Sequence, residues 1–156
     1  MKPRITAAAG LAVAIFATGS LVLFLGGNSK AAVVHTCSAT DRQFLGAAQL
    51  NMAALGSLSA DYLQGEAKAD DVITQTDSAI ASLRNTNPSD PSLSKTRAIL
   101  RAMFLEYGRA IRADKHHHDP GKYVYRAYGL ANFAHDVLAQ ARAPLKQRGC
   151  DVTPLL

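Results

Sequence analysis

The sequence predicts an all-α protein, an up-down-up-down antiparallel four-helix bundle closed by one disulfide and preceded by an N-terminal hydrophobic export or anchor helix. Three observations carry that prediction. Four stretches repeat apolar residues at steps of three and four, and no stretch of useful length alternates as a strand does. Proline- and glycine-containing connections between them are short. The chain has 2 cysteines, Cys37 and Cys150, at the two ends of the folded region, and an even number of antiparallel helices brings such ends together.

The first element is the export segment. Lys2 and Arg4 precede Ile5 to Gly27, which is uncharged and rich in Ala, Leu, Val, Ile and Phe. A basic start, an apolar stretch and small residues at a cleavage site make a signal peptide. Ser29-Lys30-Ala31 offers the small residues, with cleavage before Ala32. The apolar run, at about 20 residues, is also long enough to remain as a membrane span, with Lys2 and Arg4 holding the N-terminus in the cytoplasm. Residues 1–31 are therefore read as a signal peptide or signal-anchor transmembrane helix, and 32–156 as an extracytoplasmic domain, membrane-anchored or secreted. Cys37 is not a lipid-modified cysteine, since His35 and Thr36 precede it where a lipobox needs a small residue. Outside the membrane, paired cysteines are usually oxidised. A Cys37–Cys150 bond closing about 100 residues destabilises the unfolded chain by roughly 4–5 kcal/mol.

The helices follow in order. The first is expected over about 40–66, with Phe44, Ala48, Asn51, Leu55, Leu58 and Tyr62 on one face, Thr40 or Asp41 as cap, and Gly65 loosening its end. The second is expected over about 70–84, with Val72, Ile73, Thr76, Ile80 and Leu83 inward and Asp70 and Asp71 at its positive end. Pro88 stops it. The third, about 92–114, places Leu93, Thr96, Leu100, Met103, Phe104, Tyr107, Ala110 and Ile111 in one sector and Arg97, Arg101 and Arg112 in the next. Pro120 and Gly121 make the turn to the fourth, about 122–148, whose stripe is Tyr123, Leu130, Ala134, Val137, Ala141 and Leu145. Gly149 is placed to end it.

The net charge is +5, unevenly spread. Cys37 to Asn87 holds three basic residues against six acidic; Pro88 to Cys150 holds eleven against five. Two complementary halves packed side by side account for this pattern. A basic face for an anionic envelope component or a protein partner accounts for it as well, with Arg97, Arg101, Arg112 and Arg126 as its residues.

Two constellations carry candidate chemistry. His116, His117, His118 and Asp119 are consecutive potential ligands for Zn, Cu or Ni, with Asp114, His135 or His35 as helpers. The plainer reading is a polar loop whose imidazoles sit favourably at the negative end of the third helix. On the fourth helix, Tyr125, Tyr128 and His135 lie off the apolar stripe, and Tyr128 and His135, seven residues apart, share a side. Tyr and His both ligate haem iron. With a cysteine near each end of a helical domain and the Tyr62-Leu63 pair, the layout loosely resembles the small secreted helical haem-carrier proteins of actinobacteria, although their His-Pro motif is absent. The resemblance implies haem as a ligand.

No Gly-x-Ser-x-Gly elbow, phosphate-binding glycine loop or His-Glu-x-x-His helix occurs, so the protein is not expected to be an enzyme. Nucleic acid is not an expected partner, since the positive balance is modest and the domain is exported. The expectation is an exported, non-enzymatic binding module, with metal or haem binding as the alternative.

Overall fold

The computed structural model describes residues 36–156. The export segment read at 1–31, its cleavage site and His35 lie outside the described residues. Four helices form, α1 (Ala39–Gln64), α2 (Ala69–Arg84), α3 (Pro91–Lys115) and α4 (Gly121–Gln147), followed by a 3-10 turn at Thr153–Leu155. There is no strand among the described residues. Each helix starts one residue before its expected first position.

The helix starts follow from short acceptors. The Ser38 hydroxyl, rather than Thr40 or Asp41, caps α1 by accepting from Asp41 N at 3.0 Å. Asp71 accepts from Lys68 N at 3.0 Å ahead of α2. Asp90 accepts from Ser92 N and Leu93 N at 2.8 and 3.1 Å, with Pro91 at the first turn of α3. Asp119 Oδ1 accepts from Gly121 N at 2.8 Å at the start of α4.

Three helix ends share one geometry. Gly65, His117 and Gly149 adopt φ of 80°, 58° and 78°. In each, the next residue's N–H returns to the carbonyl five positions earlier: Glu66 to Asp61, His118 to Ala113 and Cys150 to Leu145. This is the Schellman ending, which a left-handed residue makes possible. At α4 it delivers Cys150 into the core.

α3 is the central element, packing on α1, α2 and α4. Its Leu93 and Phe104, with Phe44, Val72, Leu83 and Leu145 of the other helices, are fully buried. Small residues let the backbones approach. A Cβ at Gly108 of α3 would lie 2.8 Å from the Thr76 hydroxyl of α2. The α1 and α4 backbones do not meet; the 3-10 turn touches both, and Val152 beside it is buried.

Contacts fix which helix ends lie together. The starts of α1 and α3 meet where Asp41 accepts from Ser89 N and Asp90 N at 2.7 and 3.0 Å. Arg148, at the end of α4, pairs with Asp90 there. The Cys37–Cys150 disulfide sits at this same end, with Cα atoms 5.0 Å apart and both residues buried. At the other end, Tyr62 of α1 donates to Asp114 of α3, and Asp70 of α2 pairs with Lys115 at 2.6 Å. The acidic first half and basic second half meet across α2 and α3, through Asp77–Arg112 at 2.7 Å and Asp70–Lys115. Among the described residues, no helix is long and apolar enough to cross a membrane.

Candidate anion-binding cleft

The α3–α4 connection builds the site. His116 closes α3, and its backbone N–H returns to Ala113 O. His117 then takes the left-handed turn that glycine usually takes, and histidine is among the residues that tolerate it best. The reversal leaves His116 and His118, but not His117, on the wall of one open cleft of about 430 Å³. Arg109, Arg112 and Ala113 of α3, Asp119 of the turn, and Lys122 and Tyr123 of α4 complete it.

The cleft gathers charged side chains of both signs. Two guanidinium groups, one ammonium and two imidazoles face one lining carboxylate, that of Asp119. Arg109 is anchored by Glu106, and Arg112 by Asp77 through Nη2, at 2.9 and 2.7 Å to the two carboxylate oxygens. These anchors fix the two forks without exhausting them, since a guanidinium carries five N–H donors. Lys122 Nζ stands 4.7 Å from the Tyr123 ring centroid, so the ring supplies an apolar floor under a charge. At the start of α4 the Asp119 carboxylate already accepts from Gly121 N, and the Tyr123 and Val124 N–H groups return to Pro120 O.

The predicted site residues fall into three groups. Of the anion-binding set, only Arg112 belongs to the cleft. Arg97 is committed to the α2–α3 turn, donating to Thr86 O, and Arg101 Nε is buried with no partner among the described residues. Arg126 is exposed on α4, 3.9 Å from Glu106. Within the arginine sector of α3, Arg112 therefore bonds α2 and Arg97 bonds the α2–α3 connection. Arg109 and Lys122 escaped the sequence reading. Their signal was proximity to the histidine run on either side of the Pro120-Gly121 turn.

Of the metal set, His116, His118 and Asp119 share the cleft, while His117 does not line it. Their ligand atoms do not converge. Among the described residues, the sole trio of His, Cys, Asp or Glu within ligand reach is Cys37, Asp41 and Cys150, and its sulfurs are bonded to each other. The haem pair, Tyr128 and His135, lies exposed on the outer side of α4, with His135 Nδ1 3.6 Å from Asp136. That face is open, with Tyr125 more exposed still.

The Tyr62–Asp114 bond and the Tyr107–Ser59 bond at 2.8 Å tie α1 to α3. Burial and the Asp114 carboxylate push the Tyr62 phenol up to about 12. No protein-family model matches the chain, and neither a curated protein nor a solved structure matches it.

Proposed function

We propose that the chain is an exported, non-enzymatic binding module that holds an anionic component of the cell envelope. Residues 1–31 serve export or anchoring, and 32–156 form an up-down-up-down antiparallel bundle. The course is supported by contacts between consecutive helices. Lys95 of α3 lies over Phe133 of α4, while Glu106 lies near Arg126, so rising numbers on α3 meet falling numbers on α4. A buried disulfide is consistent with an oxidising compartment outside the cytoplasm.

The observation that carries the reading is the convergence of Arg109, Arg112, Lys122, His116 and His118 on one open cleft. Such a surface raises the local concentration of anions and orients them. The test is the double charge reversal R109E/K122E, followed by fractionation of envelope and soluble material. The variant is expected to keep its disulfide and helical signal and to lose envelope association. Unchanged fractionation would refute the reading.

A second reading rests on His116, His118 and Asp119 sharing that cleft. Imidazole and carboxylate side chains suit Zn, Cu or Ni. Equilibrium dialysis against each metal, and an absorbance titration with haem, test the carrier reading. No uptake at micromolar ligand removes it.

A further inference from the structure

We propose that the outer face of α4 is a self-association surface, on which a second copy of the chain packs its own α4 antiparallel about a two-fold axis. Among the described residues, α4 packs only on α3 and the 3-10 turn. Its opposite side leaves Tyr125, Tyr128 and Phe133 exposed by 79%, 51% and 46%. None of the three lines the cleft. Tyr125, Gly129, Asn132, Asp136, Ala139 and Ala143 are all exposed and follow steps of four, three, four, three and four. That spacing averages about 3.5 residues, the repeat with which two helices wind around each other. Ala127, Ala134 and Ala141 lie on the opposite side of the helix and are buried in the domain, so this seam points outward. Gly129 sits within the seam, and a Cβ there would meet nothing within 4 Å. The packing of the domain itself therefore does not call for glycine, which is unfavourable inside a helix. A second helix laid along the seam gives it a role, since glycine lets two backbones approach closely.

Charge and area favour a second copy as the occupant. An antiparallel pairing centred between Leu130 and Ala131 sets Gly129 level with Asn132 of the second copy, and Tyr125 level with its Asp136. Arg126 then runs along the same edge as Phe133 and Asp136 of the second copy, so the face complements itself in charge. Arg126 and Asp136 are both exposed, and their partners within the chain are distant: Glu106 lies 3.9 Å from Arg126, and His135 Nδ1 3.6 Å from Asp136. Two-fold symmetry forms the Arg126–Asp136 contact twice. A lipid surface would instead have to accept the Asp136 carboxylate unpaired in the middle of the face, which is costly. With aromatic side chains of about 200 Å², the three rings leave roughly 350 Å² open on each copy. Pairing covers that area on both copies together with the seam, roughly 1,200 Å² in all, which is the low end for a specific dimer. An interface of that size fits a dissociation constant on the order of tens of micromolar.

The experiment is analytical ultracentrifugation of the exported protein, purified with its disulfide intact. A shift from monomer to dimer is expected across roughly 1–500 μM. Gly129→Leu should keep the helical signal and Tm of the parent, because open space surrounds the site, and should abolish the dimer. Arg126→Asp and Asp136→Arg should each weaken the dimer about tenfold, by setting like charges against each other twice. The exchange R126D/D136R should restore it to within about threefold of the parent. Positions 126 and 136 stand about 15 Å apart along one helix, so they cannot compensate within a single chain. A monomer at every concentration overturns the inference. So does a dimer that Gly129→Leu leaves unchanged, or one that R126D/D136R fails to restore. Co-sedimentation with phosphatidylglycerol vesicles by a protein that stays monomeric would make a lipid surface the occupant and overturn it as well.

Discussion

Replacing Asp41 with Ala is expected to destabilise the domain by about 3 kcal/mol. Asp41 lies on α1 but is 4% exposed, and its carboxylate accepts from Ser89 N, Asp90 N and Ser89 Oγ at 2.7, 3.0 and 2.9 Å. It thereby fixes the connection that starts α3, whose cap, Asp90, also holds Arg148. An orphaned buried donor costs about 1–3 kcal/mol. The Asp90 N–H is buried and takes about 2 kcal/mol; the Ser89 groups, open to water on one side, add about 1 kcal/mol between them. For a domain of this size that lowers Tm by roughly 12 °C. Asp41→Asn keeps one acceptor and should lose about half as much. The assay is thermal unfolding followed by circular dichroism with the disulfide intact. The acid limb gives a second readout. Burial raises the Asp41 pKa, but bonds from the Asp90 backbone, the Ser38 side chain, and the Ser89 side chain and backbone outweigh it, leaving the group below its ordinary 3.8. A depressed carboxylate stabilises the fold above its unfolded pKa, and this contribution disappears as pH falls through the folded value. The parent should therefore lose stability below about pH 4 that Asp41→Asn never had. An Ala variant within about 0.5 kcal/mol of the parent would show that the Asp41 bonds do not hold the α2–α3 connection.

Other perturbations probe the far end of the bundle. Tyr62→Phe should remove the phenol that titrates near 12 in an ultraviolet absorbance titration. The raised phenol pKa favours the fold below the unfolded value of 10.0, and that contribution is lost as pH rises through the folded one, so the variant should show a flatter alkaline limb. At His117, with its φ of 58°, Gly should be tolerated within about 0.5 kcal/mol, whereas Val should cost roughly 1–2 kcal/mol in denaturant unfolding. Equal effects of Gly and Val would show that the left-handed turn is not a constraint.

Much of the fold was legible because it depends on local rules. Apolar spacing and proline or glycine stops placed all four helix starts to one residue. The sulfurs at the two ends announced their own proximity. What was not legible depended on tertiary partners. Asp41 resembles a cap in sequence, but Ser38 takes that role and Asp41 reaches across to the α2–α3 connection. Val152 and the 3-10 turn fill a gap between α1 and α4 that a symmetric bundle would not have. The arginine sector of α3 gave no sign of whether it faced solvent or α2; Arg97 and Arg112 both bond groups on the α2 side. The histidine run looked like a ligand set, yet one member is a helix terminator and its neighbours share a wall with Arg109 and Lys122.

A helical domain covalently closed at its two ends is expected outside the cytoplasm. Peptide mass spectrometry of protein recovered from cells, alkylated before any reduction, tests it most directly. A Cys37–Cys150 linked peptide from the extracytoplasmic fraction, with no alkylated cysteine, is expected. Recovery of both cysteines alkylated, in cytosolic material, would contradict it.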